Sequence, residues 1–153
     1  MNSAAEARFR IQAAISDSRI VKVIALDTPS ESVVRPLSKG GWERTTFLTA
    51  ASFSATGWLS DLAGQPRNLA GEVDEADLVV MIATPGGHAH AAAIIGEACS
   101  QRRVMTTGLV VGATSAPEAA ISETLLQLRP WSLMLVIADR DDYIENMLVA
   151  LRA

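Results

Sequence analysis

Short runs of apolar, largely β-branched residues recur along this chain at intervals long enough to hold a helix, and that alternation constrains the fold most. Ile20-Val-Lys-Val-Ile-Ala-Leu26, Leu78-Val-Val-Met-Ile-Ala83 and Leu133-Met-Leu-Val-Ile-Ala138 are the clearest. Each falls far short of the roughly 20 residues a membrane helix needs. Their pattern predicts strands covered on both faces. Arg44–Ala50 and Met105–Val111 add two more strands. Helical patterns fill the intervals. Ser3-Ala-Ala-Glu6 has capping-box spacing and opens a helix over Ala4–Ser16. Thr28-Pro-Ser-Glu31 predicts a second helix capped by Thr28, interrupted at Pro36 and stopped by Gly40-Gly41, and so short or kinked. His88–Gln101 is the third, and Ser115-Ala-Pro-Glu118 opens a fourth that Pro130 stops. Asp139-Arg-Asp-Asp142 precedes a last helix through Leu151.

Between Ala51 and Ala76, Gly57, Gly64, Pro66 and Gly71 break any long period, which predicts a loop-rich crossover with one or two short helices. Strands alternating with helices imply a mainly parallel sheet with helices on both faces. The expectation is a three-layer, Rossmann-like α/β fold with about five strands, forming a single domain over residues 1–153.

The chain has 153 residues, 49% of them hydrophobic, with a formal net charge of -4 and a sequence pI near 5.1. Such a chain buries roughly two-thirds of its unfolded surface and needs no disulfide or structural metal. The single Cys99 agrees, and a reducing, cytoplasmic setting follows as the simpler expectation. Mild acidity gives no electrostatic footprint for nucleic acid or an anionic membrane. The N-terminal residues carry Glu6, Arg8 and Arg10 and lack the uncharged run of a secretory signal. Abundant Ala and the excess of Arg over Lys point to a GC-rich bacterial genome.

In a parallel sheet, ligands bind beyond the carboxyl ends of the strands, where helix amino termini offer unpaired N–H groups and partial positive charge. Three of the four such entrances contain acids: Glu31, Glu118, and the Asp139 and Asp142 pair. The exception is Thr84-Pro-Gly-Gly-His88, with two glycines, a hydroxyl and no acid of its own. Thr84, Gly86, Gly87 and His88 are therefore the candidate ligand-binding residues, suited to a small anion. The alternative is a structural βα turn whose glycines relieve packing.

Other chemistry finds less support. His88 and His90 diverge by about 200° on a helix, and Cys99 lies three turns away from His88, so no metal site is expected. Asp27 and Asp139 end strands but lack the acid cluster and Lys of a phosphoryl-accepting site, which leaves helix capping as the role for each. The sequence has no G-x-S-x-G elbow, G-x-G-x-x-G turn or G-x-x-x-x-G-K-[ST] loop.

The order of segments resembles the nucleotide-binding half of the tubulin-like bacterial cell-division GTPases. The resemblance rests on Val21-Lys-Val-Ile24, Ala76-Asp-Leu-Val-Val80, Gly86-Gly87 before Ala91-Ala-Ala93, Thr107-Gly-Leu-Val-Val111, and Leu135-Val-Ile137 before Asp139. It implies a nucleotide-binding core with Thr84–His90 in the position of the phosphate loop. That loop keeps two of the family's glycines, and the first-strand loop, Asp27–Ser30, has none. The resemblance thus implies a form of the fold that binds something smaller than GTP, or nothing.

Three functions follow as expectations. The first is a binding domain for an anionic metabolite or nucleotide fragment at Thr84–His88, with no cofactor assigned. The second is a non-catalytic homo-oligomeric module, with Trp42, Trp58 and Trp131 either anchoring an interface or completing one core. The third is a small enzyme using Asp27, Thr84, His88 and Ser115.

Overall fold

The computed structural model describes residues 19–51, 58–87, 89–138 and 142–151. The helix expected over Ala4–Ser16, His88 and Asp139 all lie outside the described residues. Seven strands form one sheet: β1 (Val21–Ala25), β2 (Thr45–Thr49), β3 (Trp58–Asp61), β4 (Pro66–Asn68), β5 (Leu78–Ala83), β6 (Met105–Val111) and β7 (Met134–Ala138). Among the described residues, five α-helices accompany them: α1 (Thr28–Leu37), α2 (Leu69–Glu75), α3 (Ala91–Gln101), α4 (Glu118–Leu128) and α5 (Asp142–Ala150).

The strand order is β4-β3-β2-β1-β5-β6-β7. The five strands expected from the sequence are all present, and each adjacent pair among them is parallel. The sheet nevertheless has seven strands, not five, because the 51–76 stretch supplies an antiparallel hairpin, β3 and β4, as well as α2. Its turn is closed by Asp61, whose Oδ1 accepts from the N–H groups of Ala63 and Gln65, both at 2.9 Å. Gly64 supplies the left-handed residue at φ 87°. Strands of four and three residues carry too little period-2 signal to stand out from a loop.

Successive residues of β1 serve opposite faces of the sheet. Val21, Val23 and Ala25 pack with Val34 of α1 and Ile144, Met147 and Leu148 of α5. Ile24 and Leu26 pack with residues of α2, α3 and α4. Trp42 adjoins the first cluster and tilts against Phe47 with centroids 6.3 Å apart, whereas Trp131 adjoins the second. The two tryptophans therefore do not complete one core. The side chain of Trp58 lies outside the description.

Two helix starts differ from their sequence expectation. α1 is capped by Asp27, not Thr28: Asp27 Oδ1 accepts from the Ser30 N–H at 2.9 Å, and the Ser30 hydroxyl oxygen accepts from the Asp27 N–H at 3.2 Å. A buried serine with 0% exposure thus completes the capping box from its third position. At α4, Ser115 lies in a short 3-10 turn, Ala113–Ser115, its hydroxyl turned to the Gly112 carbonyl, and Pro117 precedes the helix without a side-chain cap. Among the described residues, no helix is long and apolar enough to cross a membrane.

Candidate functional site

From β1 the chain crosses to β2 on one side, while β5 lies on the other. The connections leaving β1 and β5 therefore diverge, and a crevice opens at the carboxyl ends of the strands between them. A cleft of about 250 Å³ occupies that position. Leu26, Asp27, Thr28 and Pro29 line it from the β1 side, Ala50 and Ala51 from the end of β2, and Gly87, His90 and Ala91 from the β5 side.

Asp27 is the centre of this arrangement, 6% exposed and bonded through both carboxylate oxygens. Oδ1 caps α1. Oδ2 accepts from the Thr84 N–H at 2.9 Å and from the Thr84 hydroxyl at 3.0 Å. One carboxylate thus ties the start of α1 to the end of β5, across the crevice. The capping role expected for Asp27 is present, and the fold adds a second.

The Thr84–Gly87 turn contains no acid in its sequence, yet folding sets the Asp27 carboxylate against it. Both glycines have structural reasons. Gly86 is left-handed at φ 79°, and a Cβ on Gly87 would fall 2.2 Å from Asp27 Oδ2. The turn's amides are also engaged: Thr84 with Asp27, Gly86 with Thr124 Oγ1 at 3.1 Å, Gly87 with the Thr84 carbonyl at 3.0 Å, and Ala89 with Gln127 Oε1 at 3.2 Å. Thr124 and Gln127 belong to α4, so that helix grips the turn from behind. Neither residue stood out in the sequence; the available signal was a Thr on the apolar face of a helix, where Thr124 is 0% exposed.

Of the residues singled out from the sequence, Asp27 and Gly87 line the cleft, Thr84 is bonded to Asp27 behind it, and Gly86 faces α4. Ser115 does not line the cleft. Glu31, expected to occupy its own helix entrance, instead pairs with Arg35 and accepts from Thr49 Oγ1 at 3.1 Å, joining α1 to β2. Among the described residues, no three His, Cys, Asp or Glu side chains come together as a metal cage would require.

No protein-family model matches this sequence, and no curated protein matches it. The chemistry of the cleft thus rests on its own geometry. The two helix ends beside it differ. α1 is closed by its Asp27 and Ser30 box. α3 begins after His90 with no side-chain cap and no acid in its first turn, and both His90, just before it, and Ala91, its first residue, line the cleft. One wall is therefore a carboxylate acceptor and the other a helix amino terminus with partial positive charge.

Proposed function

We propose that the protein is a small-ligand binding domain of Rossmann-like, three-layer design, whose cleft between the ends of β1 and β5 holds an anionic metabolite or nucleotide fragment. The observation that carries this reading is the uncapped amino end of α3 opening onto a cleft at the point where the strand order reverses. The resemblance to tubulin-like GTPases points to the same loop.

The anionic group belongs at the amino end of α3, beside Ala91, because the Gly86 and Gly87 amides are committed within the fold. The Thr84–Gly87 turn forms the wall behind it. Asp27 already accepts three hydrogen bonds of the roughly four a carboxylate can take, which leaves one direction for a hydroxyl or amine of the ligand. A sugar phosphate or nucleoside monophosphate carries both groups. A second reading, the homo-oligomeric module, is favoured by a separate observation at the β7 edge.

Thermal unfolding with a panel of nucleoside monophosphates and sugar phosphates tests the proposal. A true ligand at about one hundred times its Kd stabilises the fold by about 2.7 kcal/mol. Ala51→Phe places a ring in the cleft from an exposed position and should abolish that gain while leaving the unliganded protein folded. No stabilisation by any member of the panel, or one that Ala51→Phe leaves intact, would overturn it.

A further inference from the structure

The two edges of the sheet are built differently. β4 is three residues long, Pro66-Arg67-Asn68, all exposed, with a proline that lacks an N–H and a charged arginine. Those are the devices by which proteins blunt an edge strand. β7 has none of them. It runs five residues, Met134–Ala138, with no proline and no charge, and Leu133 precedes it at 74% exposure. Met134 and Ile137 are 43% and 45% exposed, on opposite faces of the strand.

We propose that β7 pairs with β7 of a second copy, antiparallel, about a twofold axis perpendicular to the sheet. The backbone phase supplies the register. The Leu133 N–H donates inward to the Thr106 carbonyl at 3.0 Å, so alternation turns the N–H and C=O groups of Met134, Val136 and Ala138 outward. With the axis at Val136, that residue faces its own copy and Met134 faces Ala138 of the second copy, so each outward group meets a mate. Between them, Leu135 lies opposite Ile137 of the second copy, an apolar pair.

Charge favours a second copy as the occupant. In this register Val136 faces its own duplicate and Leu135 and Ile137 lie diagonal to theirs, where a charged side chain would meet its like. Leu133–Ala138 carries no charge. The pairing joins two seven-stranded sheets into one.

Sedimentation velocity of the full chain from about 1 to 200 μM provides the first test, with a rise to twice the monomer mass expected. Val136→Cys should crosslink into a dimer under mild oxidation, since facing residues of an antiparallel pair lie about 5.5 Å apart at Cα, within disulfide reach. Arg67→Cys, on the blunted edge, should not. Ile137→Lys, at an exposed position, should shift wild-type dimer to monomer with an unchanged circular dichroism spectrum. A monomer throughout the concentration range, a dimer that Ile137→Lys leaves intact, or crosslinking equal at both edges would overturn the proposal.

Discussion

Asp27 joins two elements because a carboxylate offers acceptors on both oxygens. Ser30 donates to one and Thr84 donates twice to the other. Asn at this position must turn its NH₂ toward one set of donors, so Asp27→Asn should lower stability by about 1–3 kcal/mol in urea titration. Gly87→Ala should act in the same direction, since its Cβ would displace Oδ2. Stability of Asp27→Asn within about 0.5 kcal/mol of wild type, the scatter of neutral surface changes, would sink this account. The cap was legible from an Asp at a strand end; the bond to Thr84 was not, because 57 residues separate the partners.

Cys99 makes a second case at this scale. Burial pushes its thiol from 9.0 up to about 11, with the nearby Arg102 guanidinium pulling the other way. The unfolded thiol ionises first as pH rises, so the stabilisation is complete below about pH 9 and drains away toward pH 11. Between those two pH values, Cys99→Ala should lose less stability than wild type. At pH 8 the wild-type thiol should react with a disulfide reagent only at the rate of unfolding. Immediate reaction of the folded protein would refute its burial.

Among the elements, β1 and α2 show how a polar residue sits in an apolar strand. Lys22 is 4% exposed on the face that α2 covers. Its Nζ meets Glu72 at 2.8 Å, an ion-pair contact outside hydrogen-bond alignment, and bonds Glu75 at 3.1 Å and Thr46 at 3.3 Å. Glu72 in turn pairs with Arg67 of β4 at 2.9 Å. The network ties α2 and the hairpin edge to the central strand. Lys22→Ala leaves Glu72 buried beside a void and should cost about 3–5 kcal/mol by chemical denaturation, and the double change to Met at Lys22 and Glu72 should recover most of it. A loss below about 1 kcal/mol, the range of an exposed pair, would show that water already screens the site. From the sequence, the five long strands and the placement of α1 and α3–α5 were legible because their apolar periods run for several residues. The β3–β4 hairpin was not. Its strands are short, and Gly64 and Pro66, which mark its turn and edge, look the same as loop breakers.

At the scale of the whole molecule, the cleft and the free edge are separate features of one sheet. The cleft lies at the carboxyl ends of β1 and β5, and β7 is two strands beyond β5, roughly 10 Å across the sheet. Sequence by itself determined the mixed α/β class, the mainly parallel strands and the Thr84–Gly87 turn, because apolar period and turn chemistry are local properties. Only the tertiary structure decided how that turn is used. Strand order set Asp27 beside Thr84, α4 took the Gly86 amide, and α3 was left to open its amino end into the cleft. Partners for backbone N–H groups are chosen by which segments become neighbours in space, and the residues supplying them here stand 38 and 57 positions apart.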